Sequence, residues 1–187
     1  MAPLSRTDGH YRGDGTPSVR GKMNIQGETK TMHPALDVAY QLLRLAAQRN
    51  LQLTPMQLIK LVYICHGWML GFTKQPLIIE DVEAWKYGPV IPSIYHTFKS
   101  YRNQPIIPPF FDISSQSFTD VENAILEGVL NRYGSLSGPQ LSTLTHAEGT
   151  PWKQTWETWG KYAPGVVIPQ KLIEQHYADR INARTNQ

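Results

Sequence analysis

Apolar positions along the chain change period several times, and each change marks an element. From Pro34, Leu36, Ala39, Tyr40, Leu43, Ala46 and Ala47 recur at three- and four-residue spacing, with Arg44, Gln48 and Arg49 between them. That spacing predicts an amphipathic helix ending near Asn50. Thr54 as N-cap and Pro55 as first helical residue then open a second helix. Its apolar residues, Met56, Ile59, Leu61, Val62, Tyr63, Cys65, Trp68, Met69 and Phe72, are spread around every face, as in a helix through the middle of a core. After Gly71, the segments 77–79 and 82–87 are β-branched and aromatic around Glu80 and Asp81, which predicts a small hairpin or a pair of extended segments. Gly88 and Pro89 break this pattern, and Pro92 opens a helix carrying Ile94, Tyr95, Phe98 and Tyr101.

Residues 102–118 read as a long connection, with Pro105, Pro108 and Pro109 beside Ile106, Ile107, Phe110 and Phe111. A connection of that length inside a compact domain is either functional or draped over core surface. Thr119 and Glu122 form a capping box ahead of Val121, Ile125, Leu126, Val129, Leu130 and Tyr133, a helix that ends at Gly134. A shorter helix over 137–145 directs Leu141 and Leu144 inward. Thr150 and Pro151 open a turn that places Trp152, Trp156 and Trp159 on one face, expected to be core. Pro169 starts a last helix whose inner face is Leu172, Ile173, His176, Tyr177 and Ile181. The fold class expected is therefore mostly α: a compact bundle of about six helices with a small β-hairpin or extended element around residues 77–90.

The segment 1–32 is composed differently. Five glycines mix with polar and charged residues, and Tyr11 is its sole aromatic residue, too little to bury a core, so it reads as a flexible leader to a single domain over 33–187. Gly13 and Gly15 resemble a fragment of a nucleotide-binding loop but lack a preceding strand. The length of 187 residues suits one domain. Cys65, the one cysteine, rules out an internal disulfide. The net charge of +3 divides into +2 over 1–33 and +1 over the rest, so the body has no basic field for a phosphate backbone, and a nucleic-acid partner is not expected. Lys60 and His66 interrupt the greasiest stretch and no signal-peptide core precedes it, so a membrane partner is not expected either, and a cytoplasmic location is.

Chemistry-bearing motifs are scarce. No metal-ligand spacing, nucleophile elbow or phosphate loop occurs, so no catalytic residue, metal or cofactor is assigned. The densest polar cluster is Thr145, His146 and Glu148, ahead of Pro151 and Trp152. His146 and Glu148 suit an acid and a base, and equally suit capping a helix and bonding loop amides.

Three blocks carry a resemblance. The run Val82-Glu83-Ala84-Trp85-Lys86-Tyr87-Gly88-Pro89-Val90-Ile91-Pro92-Ser93-Ile94-Tyr95 closely resembles the EAWxxGPVxxxxY signature of the SocA-like antitoxin family, also called the Panacea domain and earlier known for phage-associated GepA-like proteins. Leu141-Ser142-Thr143-Leu144-Thr145-His146-Ala147-Glu148-Gly149-Thr150-Pro151-Trp152 is similar to the family's LSxxTHxExxPW block. Upstream, 58–67 resembles its LxKLxYxxxG helix. The resemblance implies a mostly helical, non-enzymatic, protein-binding domain that neutralises a cognate toxin by direct contact; in the best-known member the antitoxin also delivers its toxin to the ClpXP protease as an adaptor. Family members often carry a further DNA-binding module, which is not expected here. The same scaffold in a phage or prophage protein would bind and inhibit a host complex such as a defence nuclease, and the residues do not separate the two.

Trp85, Tyr87 and Tyr95 with the Gly88-Pro89 turn would form a rigid aromatic ledge, large in contact area and low in entropic cost. The competing reading is that they pack the hairpin against the central helix. Phe110 and Phe111 are the candidates for partner choice, because their segment lacks helical or strand periodicity.

Overall fold

The computed structural model describes residues 32–107 and 118–185. The leader up to residue 31 and the pair Phe110 and Phe111 lie outside the described residues. Chain order is α1 (Ala35–Gln48), α2 (Pro55–Thr73), β1 (Glu83–Trp85), β2 (Gly88–Val90), α3 (Pro92–Phe98), α4 (Asp120–Tyr133), α5 (Gly138–His146), α6 (Pro151–Thr155), β3 (Val166–Val167) and α7 (Gln170–Thr185). The mostly helical expectation holds. Seven helices stand among the described residues where about six were expected, the additional one being the short α6.

Helix α2 is the axis. An unbroken run from Leu58 to Gly71 is buried, which its all-round apolar pattern predicted. Thr54 caps it with a full capping box: its side chain accepts the Gln57 N–H, and the Gln57 side chain accepts the Thr54 N–H at 2.9 Å. The two ends depart from expectation. Met56 and Phe72, towards its two ends, are exposed. Gly67 and Gly71 let α7 lie directly on α2. A Cβ on Gly67 would collide with the Tyr177 ring, and one on Gly71 would come within 2.8 Å of the Tyr177 Cβ.

The inner face of α1 is rotated from the expected stripe. Val38, Leu42 and Leu45 form its buried centre, flanked by Ala35, Ala39, Leu43 and Ala46, while Leu36 and Tyr40 are only partly covered and Ala47 is exposed. Asn50 adopts a positive φ of 55°, ending the segment as its residue type predicted. The start of α1 is capped from a distance, for its Ala35 N–H donates to Glu80 Oε2 at 2.7 Å. The other oxygen of Glu80 accepts the Ser93 hydroxyl at 3.3 Å, so one carboxylate ties the start of α1 to the first turn of α3.

The capping boxes at Thr119 and Ser137 formed as well. Glu122, besides accepting the Thr119 N–H at 2.7 Å, meets buried His33 Nε2 at 3.1 Å. Leu144 was expected inside and is exposed, and Val121, just after the Thr119 cap, is exposed as well. Of the long connection, Ile106 is buried, with its N–H bonded to the Leu53 carbonyl at 2.8 Å, while Ile107 is exposed.

The β element differs in detail from expectation. Strand β1 pairs with β2, antiparallel, with Trp85 opposite Gly88, so Gly88 and Pro89 continue the hairpin rather than break it. On its other side β1 pairs with β3, giving the order β2-β1-β3. Segment 77–79 makes only an isolated parallel bridge, Ile78 to His33. Strand β2, whose three residues are all buried, lies on α2.

The tryptophan stripe splits. Trp152 is buried and Trp156 partly so, but the chain widens to a π-helical turn over Trp156–Gly160 and carries Trp159 out to 64% exposure. An extra residue per turn rotates everything after it off the inner face.

Candidate functional site

The three motif blocks meet at one place. Lys60 stands in the middle of α2, inside the apolar run Leu58-Ile59-Lys60-Leu61-Val62, and is 2% exposed. Its Nζ donates to the Pro89 carbonyl on β2 at 2.9 Å. Burial, with no anion to offset it, pulls its pKa down to about 7. Gly88, with φ of 107°, lies directly against it. A Cβ there would stand 2.6 Å from Lys60 Nζ and 2.9 Å from His146 Nε2, so glycine is required both by the backbone and by the space.

His146, the last residue of α5, stacks on Trp152 with ring centroids 3.8 Å apart and planes at 9°. Its Nε2 is closed off from solvent and makes no hydrogen bond. Its pKa is held down first by desolvation, then by the charge of Lys60, against a raising contribution from the Tyr87 carbonyl. A neutral imidazole and a partly neutral amine thus face one another over Gly88. The Trp152 indole N–H donates to the Trp85 carbonyl at 2.8 Å, and the Ser142 hydroxyl to the Tyr87 carbonyl at 3.4 Å. Helices α2, α5 and α6 therefore grip the hairpin backbone from one side. Sealed from solvent at both nitrogens, the cluster is built as a brace.

The remaining motif polar residues serve the turn between α5 and α6. Thr145 is buried and its hydroxyl bonds the Ser142 carbonyl at 3.0 Å. Thr150 donates to the carbonyls of Thr145 and Ala147, both at 2.8 Å, and its oxygen accepts the Lys153 N–H at 3.3 Å, capping α6. Glu148 is exposed and is not hydrogen-bonded to His146, so the two do not form an acid–base pair. No group of three or more His, Cys, Asp or Glu comes together to hold a metal among the described residues. Cys65 is fully buried, and burial raises its pKa, which leaves an inert thiol. His66 is equally closed in; its Nδ1 accepts the Leu77 N–H at 3.3 Å, and burial lowers its pKa to about 4.

On the outer side of the hairpin, Trp85 stacks edge-on against Tyr95 of α3, with centroids 4.9 Å apart, and its indole N–H donates to Glu83 Oε2 at 2.7 Å. Both rings are half-buried. Ala84, not Trp85, is the β1 residue that faces the core. Tyr87, at the hairpin tip, is 64% exposed with the Lys86 ammonium 5.4 Å from its ring centre. Gly88 and Pro89 are buried and belong to the brace. Of the proposed ledge, Tyr87 is open, Trp85 and Tyr95 are half open, and the Gly-Pro pair is inside.

The family model for "Antitoxin SocA-like, Panacea domain" matches residues 58–153, from the first turn of α2 into α6. The chain belongs to this family. Every residue of the Lys60, Gly88, His146 and Trp152 cluster lies within the matched span of the Panacea domain. The chain is also 34% identical over 125 residues to the protein named Antitoxin SocA of Caulobacter vibrioides (strain NA1000 / CB15N), over 62% of this chain and 66% of that protein. It thus spans just under two thirds of that relative's length. No solved structure matches. None of the described helices is long and apolar enough to cross a membrane.

Sequence reasoning did not foresee the Lys60 cluster or the second aromatic group. A lysine inside an otherwise apolar helix was the available signal for the first. For the second, the π-turn had no local signature. That group comprises Trp159, Tyr162 at 82% exposure and Val167 at 42%, all around β3.

Proposed function

We propose that this Panacea-domain chain is a non-enzymatic antitoxin that neutralises a cognate protein toxin by binding it directly, through the aromatic surface around its three-stranded sheet. The observation that carries the reading is the exposure of Tyr87 at the β1–β2 hairpin tip and of Trp159 and Tyr162 in the segment that leads to the edge strand β3. Large aromatic side chains left in solvent cost solubility and serve as anchors for a partner. Their backing is rigid, because the Trp156–Gly160 turn packs on β1 and β3 and the hairpin is braced from behind by Lys60 and Trp152. An edge strand adds main-chain hydrogen bonds to whatever docks there. The separation of His146 from Glu148 and the sealing of Lys60 support a binding role over a catalytic one.

The test is co-expression with the candidate toxin encoded beside it, scored by growth. The wild-type chain restores growth; Trp159→Ala with Tyr162→Ala does not, while its melting temperature stays within about 2 °C. Phe110→Ala with Phe111→Ala, tested alongside, separates the connecting segment from the sheet. Restored growth in both double variants would move the interface elsewhere. Delivery of the bound toxin to a ClpXP-type protease is a further step of the same proposal: toxin half-life in a reconstituted reaction shortens when this chain is added, and an unchanged half-life leaves neutralisation by binding alone.

A further inference from the structure

On the opposite side of α5 from the brace, α2, α4, α5 and α7 enclose a cleft of about 340 Å³. Its wall carries Tyr63, Tyr133 and Tyr177 together with Arg132, His176 and Arg180. Tyr63 and Tyr177 are 2% and 4% exposed, and their hydroxyls, which bond no protein group, are not sealed off from the cleft that both residues line. A phenol that opens into a cleft without a protein partner is a donor free for whatever occupies the cleft. Arg180 acts electrostatically on both hydroxyls, and Tyr133 acts on that of Tyr177, so these groups converge. Burial raises the pKa of both buried tyrosines, which keeps them protonated donors at neutral pH. Neither Arg132 nor Arg180 forms an ion pair with a carboxylate among the described residues. Desolvation and Arg180 lower the pKa of His176, which favours the neutral ring and leaves the arginines as the cleft's positive charge.

The charged groups of the cleft are therefore cationic, and its phenols can donate to an anion beside them. Two guanidinium groups and three phenols offer more donors than the lone-pair sites of one carboxylate can use, whereas the three terminal oxygens of a phosphate can take them. The cleft continues past His176 and Arg180 into a second hollow along α7, lined also by Leu172 and Gln175, where Asp179 is engaged by the Gln175 amide at 2.8 Å. That extension has room for an organic body of drug-like size.

We propose that this cleft binds a phosphate monoester of mononucleotide size, its phosphate held by Arg180, Arg132 and the tyrosine hydroxyls and its body lying along α7. The site is separate from the aromatic surface around the sheet. The test is isothermal titration of the full chain with adenosine monophosphate, inorganic phosphate and sodium chloride at matched ionic strength. Expected is saturable binding of the monophosphate, weaker binding of phosphate, and none of chloride. Arg180→Gln, at an exposed position, and Tyr63→Phe, which removes one oxygen, should each lower affinity at least tenfold with the helical circular dichroism intact. Absence of saturable heat with either phosphate probe at millimolar concentration overturns the proposal, as does equal affinity of wild type and both variants.

Discussion

Lys60 makes a sharp prediction about pH. An unfolded lysine titrates near 10.5, and the folded one at about 7. Between those values the unfolded chain holds a proton that the folded chain has released, so stability must rise with pH across that window and level off below it. Integrated from pH 7 to pH 9, the gain is about 2 kcal/mol, and over the whole window at most about 5 kcal/mol. The perturbation is Lys60→Met, which keeps an unbranched side chain one atom shorter and removes the titrating amine. Urea denaturation followed by tryptophan fluorescence at pH 7, 8 and 9 gives the stability of both proteins. The difference between wild type and variant should shift by about 2 kcal/mol in favour of wild type as pH rises, while the contribution of Cys65, common to both, cancels. Parallel profiles, within about 0.5 kcal/mol over that range, would mean that Lys60 keeps an ordinary lysine pKa and that water reaches the brace.

Three other substitutions probe the frame. Gly88→Ala forces a side chain into a positive-φ position between Lys60 and His146 and should cost about 2 kcal/mol or more, read as the shift in the urea midpoint. Trp152→Phe keeps the stack on His146 and loses the bond to the Trp85 carbonyl; a loss of about 1 kcal/mol is expected, with faster amide exchange in β1 by hydrogen-exchange mass spectrometry. Glu80→Gln retains an acceptor for Ala35 and should cost less than Glu80→Ala, which removes the cap of α1 and should lower stability by about 1–2 kcal/mol in thermal melts.

Local chemistry was legible along the chain, and long-range convergence was not. Thr54, Thr119 and Thr150 announce their helices because a cap bonds a neighbour two or three residues on, and the apolar residues spread around every face of α2 mark it as a buried axis. Glu80 caps α1 from 45 residues away, which no window along the sequence contains. Strand β3, two residues long, carries too little pattern to be found without its partner β1. Trp152, Trp156 and Trp159 read as one stripe because the reading assumed an α-helix throughout; the π-turn sends the third ring outward, and so turns an expected core residue into a candidate anchor.

The site followed the same division. The motif residues from Trp85 to Pro89 and from Thr145 to Trp152 could be named, but their separation into a buried brace and an open surface depends on which way β1 faces, and Ala84 rather than Trp85 faces the core. Lys60 was visible only as an interruption of an apolar helix; its partners, Pro89 and His146, come from other blocks. The cleft of tyrosines and arginines draws on four helices, and at each position the residues read as ordinary inner-face or surface residues.

The central claim is that an aromatic surface around the sheet holds a protein toxin. Its most direct measurement is the affinity between this chain and a purified candidate toxin, by biolayer interferometry, for the wild type and for Trp159→Ala with Tyr162→Ala. The account predicts a stable complex whose affinity falls at least a hundredfold in the double variant, with no change in folding. A tight complex indifferent to those two rings, or no complex with the toxin and recovery of a large host assembly in its place, would contradict it.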